Sequence, residues 1–263
     1  MQFTKMHGLG NDYLYVYGEP EHPAEWSVKL SNRHFGAGSD GMIWICPSEI
    51  ADFKMRIFNA DGSEAKMCGN GIRCVGKYVY DKGYTDKTHL SIETLSGIRE
   101  LSLEVKTGTI QSVSVNMGMV ICEAPMPLAV GEKNMVCMPV SVGNPHAVFF
   151  TQNVAAVPIL ELGPKIEHAH AFPDGVNAEF VQVIGDNELR MRVWERGSGV
   201  TMACGTGACA AVVGGYCSCN SPIIVHLDGG DLTIQVADDK SVTMSGPAEF
   251  VYEGDTEICL HRT

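Results

Sequence analysis

The chain has few basic residues and no long apolar run. It carries 19 Lys and Arg against 31 Asp and Glu, a formal net charge of −12. This charge repels phosphate backbones and anionic headgroups, which argues against nucleic acid or a membrane surface as a partner. One of the longest apolar runs, residues 154–160, contains Pro158 and is far shorter than the roughly 18 residues of a membrane helix. The first residues also lack the basic-then-apolar order of a secretory signal, so we expect a cytoplasmic protein.

Length and cysteine content set the next limits. At roughly 150 residues per domain, 263 residues correspond to one large domain or two of about 130. Ten cysteines in a chain without a secretory signal are better explained as reduced thiols than as a disulfide framework. Free cysteine is among the most buried residue types, so we expect most of the ten to be packing residues.

The sequence contains an internal repeat. MRIFN at 55–59 matches MRVWE at 191–195, and CGNG at 68–71 matches CGTG at 204–207, each pair 136 residues apart. Two weaker blocks, which begin near Gly10 and Phe35, recur at offsets of 133 and 137 residues. Four blocks in one order at nearly one offset indicate two homologous halves, most simply related by a pseudo-twofold axis. The period is too long for a solenoid.

Local patterns predict similar elements in both halves. Alternating apolar residues predict strands that end at Asn59 and at Glu195, and polar side chains at such matched inward positions need partners. After each Cys-Gly-x-Gly block we expect a helix, the first with apolar residues at Ile72, Val75 and Val79 and an end near Gly83. The second, over residues 208–213, is apolar on all sides and should be buried. Further β-rich segments lie at residues 90–95, 98–105, 110–115, 223–227 and 232–236.

These patterns predict an α+β fold of two pseudo-symmetric domains. In each domain a mainly antiparallel sheet or barrel is expected to wrap around a central helix. The predicted halves are residues 1–117 and 118–248, with residues 249–263 as a candidate addition to the first half.

Two cysteines stand at predicted helix starts, Cys68 and Cys204. Unpaired N–H groups and the helix dipole at such a position favour a thiolate and lower the thiol pKa. The glycines beside them let the backbone approach an anion such as a carboxylate. One such block is more often a capping turn beside a buried cysteine, but two at symmetric positions indicate a shared site. No Lys follows either block as in a phosphate-binding loop, so that function is disfavoured.

A pair of thiols on opposite sides of one small carboxylate can invert a carbon centre. One thiolate removes the proton next to the carboxylate, and the opposing thiol returns a proton on the other face. The helix N-termini would stabilise the charge that develops on the carboxylate. The sequence therefore favours a racemase or epimerase that works without a cofactor.

The blocks that carry this chemistry resemble the diaminopimelate epimerase family. The similar segments are FTKMHGLGND at 3–12, FNADG at 58–62, MCGNGIRC at 67–74, GNPH at 143–146, FPDGVN at 172–177, ERGSG at 195–199 and ACGTGA at 203–208. The resemblance implies an enzyme that interconverts LL- and meso-2,6-diaminopimelate in lysine and peptidoglycan synthesis. It also implies a site between two similar α+β domains, no cofactor, no metal, and a homodimer.

The resemblance implies roles for individual residues. Cys68 and Cys204 match the catalytic thiols, and His146 and Glu195 match groups that assist them. The backbone donors to the reacting carboxylate match Gly69, Asn70, Gly205 and Thr206. The residues that read the substrate match Asn11, Asn59, Asn144, Asn177, Glu195 and Arg196, with Arg196 suited to a bidentate grip on the distal carboxylate. Some family members carry Gln where this chain has Gly41, so no side-chain contact is assigned there.

Two alternative functions stay open on the residues alone. The first is another two-cysteine racemase, of the proline or hydroxyproline kind, for which the distal arginine would have no substrate carboxylate. The second is a thiol-redox or zinc-binding protein, but Cys217-Ser218-Cys219 lacks a second cysteine pair at suitable spacing.

Other candidate residues are expected to be structural. We expect Cys74 and Cys209 in the core, His168 and His170 in solvent, and His7 as a hydrogen-bonded structural residue.

Overall fold

The computed structural model describes residues 1–131, 133–215 and 221–257. The chain forms two compact units, one of Met1–Val115 with the segment that begins at Gly246, the other of Asn116–Ser245. No helix in the described ranges has the length and apolarity needed to span a bilayer.

Short strands and four α-helices make up the described chain. The elements before residue 120 are β1 Gln2–Gly8, β2 Asn11–Tyr17, α1 Pro23–Ser31, β3 Gly41–Cys46, β4 Phe53–Asn59, β5 Glu64–Ala65, α2 Gly69–Asp81, β6 His89–Thr94, β7 Gly97–Lys106 and β8 Thr109–Met119. The later elements are β9 Ile121–Cys122, β10 Met126–Val130, β11 Lys133–Ser141, β12 Pro145–Phe150, a 3-10 turn Val154–Ala156, α3 Ile159–Glu167, β13 Asn177–Gly185, β14 Glu188–Glu195, β15 Gly199–Val200, α4 Gly205–Gly215, β16 Ile223–Leu227, β17 Gly230–Val236, β18 Ser241–Gly246 and β19 Glu249–Asp255.

In the first unit, a mainly antiparallel sheet curves around helix α2. Its strands pair in the order β19-β1-β2-β3-β4-β6-β7-β8, and the pairs β2–β3 and β4–β6 are parallel. Helix α2 contacts β1 and β2 near one end of this order and β7 near the other. The sheet must therefore bend to bring both ends onto one helix.

The second unit has the same arrangement around helix α4. Its strands pair in the order β9-β11-β12-β13-β14-β16-β17-β18, with β12–β13 and β14–β16 parallel. Helix α4 contacts strands β9, β11, β12, β13, β14 and β17 of this order. The parallel pairs occupy the same two places in both orders, which confirms the predicted α+β fold and its duplicated topology.

The central helices agree with the sequence pattern. The apolar residues Ile72, Val75 and Val79 of α2 are fully buried, and the chain leaves the helix at Gly83 with a φ of +74°. That left-handed conformation favours glycine at a helix end. Helix α4 is buried on every side except at Thr206 and at its last residue. The segments predicted as β-rich form strands, except that Leu95 lies in the turn after β6.

Helices α1 and α3 are not predicted from the sequence. Helix α3 contains Gly163 and Pro164, both poor helix formers. Tertiary packing explains the glycine, since a Cβ atom at Gly163 would lie 2.4 Å from the ring of Trp194. A contact between residues 31 positions apart thus selects a helix that local propensity disfavours.

Candidate active site

Cys68 caps the first turn of helix α2. Its backbone is extended, with φ −138° and ψ 116°, and its Sγ accepts a 3.3 Å hydrogen bond from the N–H of Gly71. Gly69 and Asn70 supply the first N–H groups of the helix. A thiol and backbone donors therefore lie together at the buried start of this helix.

Asn11 connects Cys68 to a network of charged side chains. Sγ of Cys68 donates to Oδ1 of Asn11 at 3.3 Å, while Nδ2 of Asn11 donates to Asp40 at 2.8 Å. Arg33 bridges Asp12 and Asp40, and Lys5 also pairs with Asp12. Burial raises the pKa of Asp12, but the hydrogen bonds from Arg33 and Lys5 outweigh burial, so its pKa is lowered overall. The network holds Asn11 with its carbonyl toward the thiol.

Asn59 is the last residue of strand β4. Its Nδ2 donates to Oγ of Ser63 at 3.0 Å, and the side chain is half-exposed. Gly41 pairs with Asn59 in the adjacent strand. A Cβ atom at Gly41 would lie 2.2 Å from the Phe58 carbonyl oxygen, so no side chain fits there without a backbone shift.

Cys204 has the same local geometry at the start of helix α4. Its Sγ accepts a 3.3 Å hydrogen bond from the N–H of Gly207, and Oγ1 of Thr206 lies 3.5 Å away. The thiol is buried, with 4% of the residue exposed. Burial, followed by the charges of Glu195 and Glu179, raises its pKa well above the ordinary thiol value. The expectation that the helix start lowers the thiol pKa is wrong for Cys204, because desolvation and two carboxylates outweigh the hydrogen bonds.

Glu195 ends strand β14 beside Cys204. Its Oε1 accepts a hydrogen bond from the hydroxyl of Thr201. Burial raises the pKa of this carboxyl, while hydrogen bonds from Thr201 and Cys204 lower it less. The predicted carboxylate and thiol of this half are thus in contact.

His146 and Asn144 join the same group of side chains. Nε2 of His146 lies 3.0 Å from Oδ1 of Asn144, and Nδ2 of Asn144 donates to Oγ1 of Thr206 at 3.4 Å. Nδ1 of His146 lies 2.6 Å from Oε1 of Glu179, and both side chains are fully buried. Four predicted residues of the second half, His146, Asn144, Thr206 and Cys204, are therefore linked in series.

Glu179 is the residue that sequence analysis missed. It lies in β13, within the apolar segment Ala178-Glu179-Phe180-Val181, and is fully buried. Period-2 alternation puts it on the same face as Asn177, two residues earlier. A lone acid inside a buried strand is the signal that could have identified it.

Asn177 and Arg196 form a separate contact. Oδ1 of Asn177 accepts from the N–H of Arg196 at 2.9 Å, and its Nδ2 donates to the Pro145 carbonyl at 2.9 Å. The Arg196 guanidinium is exposed and donates to the Asp174 carbonyl at 3.0 Å. Gly175 has φ +77°, and a Cβ atom there would lie 2.9 Å from Cδ of Arg196. Much of the Asn177 amide is thus engaged with backbone, whereas the guanidinium projects outward.

The residues expected to be structural behave as predicted. Cys74 and Cys209 are fully buried. His168 and His170 are exposed, and Nδ1 of His7 accepts a 3.3 Å hydrogen bond from the N–H of Gly10. Cys217-Ser218-Cys219 lies outside the described residues. In the ranges that are described, no three His, Cys, Asp or Glu side chains are grouped to hold a metal ion.

A family model and sequence relatives show that the chain belongs to one family. The family model described as diaminopimelate epimerase matches residues 3–122 and 138–251. The diaminopimelate epimerase of Acetivibrio thermocellus is 50% identical over 277 residues, covering 98% of this chain and 99% of that protein. That of Methanococcus maripaludis is 49% identical over 281 residues, covering 98% of this chain and all of its own length.

A solved structure shares the fold at much lower identity. A probable proline racemase from Agrobacterium radiobacter superposes with a TM-score of 0.75 at 16% identity, covering 98% of this chain and 93% of its own. At that identity the likeness concerns the fold alone.

Proposed function

Because the chain belongs to the diaminopimelate epimerase family, we propose that it is an isomerase that interconverts LL- and meso-2,6-diaminopimelate. The observation that supports the mechanism is the matched pair of thiols at two helix starts. Each sulfur lies 3.3 Å from the backbone nitrogen of the residue three positions later. We propose that the pair works without a cofactor, in lysine and peptidoglycan synthesis.

The reaction requires the two sulfurs to reach opposite faces of one α-carbon. One thiolate takes the α-proton as the C–H electron pair moves into the carboxylate. The opposing thiol then gives its proton to the other face, and the two sulfurs have exchanged protonation states. One proton is held between the pair, so the two thiols titrate together. The raised pKa of Cys204 supports its starting as the protonated thiol.

The backbone at both helix starts would stabilise the intermediate. We assign the N–H groups of Gly69 and Asn70 in one half, and of Gly205 and Thr206 in the other, as donors to the reacting carboxylate. Negative charge grows on that carboxylate as the α-proton leaves. Fixed donors that strengthen as charge develops lower the barrier without raising the affinity for the ground state.

The remaining polar residues fit recognition of the substrate. We assign Glu195 and His146 to assist the thiols and to bind the reacting amino-acid head. Asn11, Asn59, Asn144, Asn177 and Arg196 are assigned to the rest of the substrate. The exposed guanidinium of Arg196 suits the distal carboxylate, which a monocarboxylate such as proline lacks. We also propose a cytoplasmic homodimer.

The test is α-hydrogen exchange in heavy water. The reduced, chelator-treated protein is incubated with LL-diaminopimelate, and deuterium and configuration at the α-carbon are followed by NMR and mass spectrometry. We expect deuterium incorporation with inversion, lost in Cys68→Ala and in Cys204→Ala. Cys122→Ala, which removes a half-exposed thiol elsewhere in the second unit, should keep the activity.

Parallel reactions distinguish the alternatives. Full epimerisation by either single cysteine variant would exclude the two-thiol mechanism. Turnover of proline or hydroxyproline in place of diaminopimelate would favour the related racemases. Stoichiometric zinc that survives the chelator, with no isomerisation, would favour a zinc-binding protein.

A further inference from the structure

His146 and Glu179 form a fully buried pair. Nδ1 of His146 lies 2.6 Å from a Glu179 oxygen, and Nε2 faces the Asn144 carbonyl oxygen at 3.0 Å. The Asn144 amide nitrogen is directed at Thr206, which fixes the carbonyl toward the ring. Both ring nitrogens therefore face acceptors.

Glu179 also lies next to Cys204. The position of a Cβ atom at Gly207 would be 2.8 Å from Oε1 of Glu179 and 3.2 Å from Sγ of Cys204. The sulfur and the carboxylate oxygen are therefore neighbours across the first turn of α4. The other oxygen of Glu179 has no hydrogen-bond partner among the described residues. No donor in the described part of the chain therefore offsets the negative charge at that oxygen.

The first unit lacks this pair at the equivalent place. A Cβ atom at Gly71 would meet Cδ1 of Ile43 at 2.6 Å, just as one at Gly207 would meet Glu179. Tyr13 pairs with Gly41 in the sheet, and His146 pairs with Asn177. Ile43 and Glu179 lie two residues after Gly41 and Asn177, respectively. Tyr13 and Ile43 thus replace His146 and Glu179 in the duplicated scaffold. Titratable groups that differ between two otherwise matched sites are candidates for setting different roles.

We propose that Glu179 is a positioning residue that makes the two thiols unequal: its carboxylate keeps Cys204 protonated, whereas Ile43 occupies the corresponding place beside Gly71 in the first unit. The inference rests on the proposed two-thiol function. Glu179 acts through its charge beside Cys204 and through His146, whose ring it orients toward Asn144. A purely structural pair would support the fold without affecting the order in which the thiols ionise.

Other charged groups also face Cys204. Glu195 reaches it from β14, and His146 lies on β12. Among the other strands that contact α4, β11 and β17 carry the charges of Lys133 and Asp231 at exposed positions, and β9 carries the thiol of Cys122. A change confined to Glu179 therefore isolates one of two nearby carboxylates.

The test is the pH profile of kcat/KM in Glu179→Gln, which keeps the shape and removes the charge. The acidic limb reports the first thiol to ionise, and the basic limb reports loss of the remaining thiol proton. We expect the basic limb to move to lower pH by about one unit, because a charge at this range shifts a pKa by that order. The acidic limb should stay in place. Glu167→Gln is the control, since Glu167 is a second buried carboxylate of this unit, bonded to Trp194 and Gly197.

A second measurement does not depend on turnover. The pH dependence of iodoacetamide labelling is followed by peptide mass spectrometry at Cys204 and, in the same tube, at Cys68. Glu179→Gln should lower the labelling midpoint of Cys204 more than that of Cys68. A lower maximum of kcat/KM, with both limbs of the pH profile and both labelling midpoints unchanged, would show that Glu179 is only structural. That result would overturn the proposal. If wild-type protein does not epimerise diaminopimelate, the proposed function fails, whereas the labelling result still decides the inequality of the thiols.

Discussion

Asp40 decides which way the amide of Asn11 faces. Its Oδ2 accepts from Nδ2 of Asn11 at 2.8 Å and from the N–H of Asp12 at 3.2 Å. The Asn11 carbonyl is left to accept from Sγ of Cys68. A residue 28 positions before the cysteine thus sets its hydrogen-bond partner.

Asp40→Asn should weaken catalysis more than folding. An amide at this position can present a donor to Asn11, so the orientation that serves Cys68 is no longer enforced. We expect kcat/KM to fall about tenfold, since one oriented hydrogen bond is lost. The free energy of unfolding should change by about 1 kcal/mol or less, because the Arg33–Asp40 ion pair is largely exposed.

Steady-state kinetics and urea unfolding measure the two effects of Asp40→Asn. Asp239→Asn is the matched control, because Asp239 likewise accepts from a nearby backbone N–H but in an exposed turn. Equal kcat/KM values for the two variants would rule out a positioning role for Asp40.

Glu195→Gln should stabilise the fold at neutral pH and reduce activity. Burial raises the folded-state pKa of Glu195 above its ordinary value of 4.5. Between these two values the native state binds more protons than the unfolded state, so stability falls as pH rises through that window. Removing the carboxyl should therefore add about 1 kcal/mol above the window and nothing below it. The proposed assistance to Cys204 would be lost, and we expect kcat to fall by about a hundredfold.

Urea unfolding of wild type and Glu195→Gln at about pH 4 and pH 8 tests the linkage. The Thr201 hydroxyl can still donate to the amide oxygen, so the hydrogen bond is not the variable. A stability difference that is the same at both pH values would show that the carboxyl does not titrate as the burial of Glu195 requires.

Gly207→Ala should damage both stability and activity. The added methyl carbon would lie 2.8 Å from Glu179 and 3.2 Å from the Cys204 sulfur. Crowding of this kind costs about 1–3 kcal/mol, and it should displace the thiol and lower kcat/KM by more than tenfold.

Gly214→Ala in the same helix is the control for Gly207→Ala. There, the nearest atoms to an added Cβ are 3.5 Å away, an ordinary contact. Better helix propensity should leave this variant as stable as wild type or up to about 1 kcal/mol more stable. Thermal unfolding and kinetics compare the two variants. Equal stability and equal activity of Gly207→Ala and Gly214→Ala would contradict the close packing of Glu179 against the start of helix α4.

Features that depend on near neighbours in the chain are predictable from the sequence. The alternation that ends at Asn59 and Glu195 defines β4 and β14, because strand side chains repeat every two residues. A cysteine followed by a glycine marks the start of α2 and of α4. The first turn of a helix needs a capping side chain, and glycine lets the backbone approach a ligand closely. The 136-residue repeat predicts that the two units share one topology.

The environment of each thiol depends instead on residues from distant strands. Burial raises the pKa of Cys204 because it removes solvent from the thiolate. The charges of Glu195 and Glu179, which lie on different strands, raise it further. The helix start acts in the opposite direction, and only the relative sizes of these effects decide the outcome. No local pattern contains those sizes.

The sequence by itself determined the duplicated α+β fold and the two cysteines at helix starts. Only the tertiary structure decided that Glu179 faces Cys204 and His146 while Ile43 occupies the corresponding place beside Gly71. The reason is physical: strand periodicity and helix caps act over a few residues, whereas desolvation and Coulomb interactions act over a few ångströms. Folding brings residues that are distant in the sequence within the range of these electrostatic interactions.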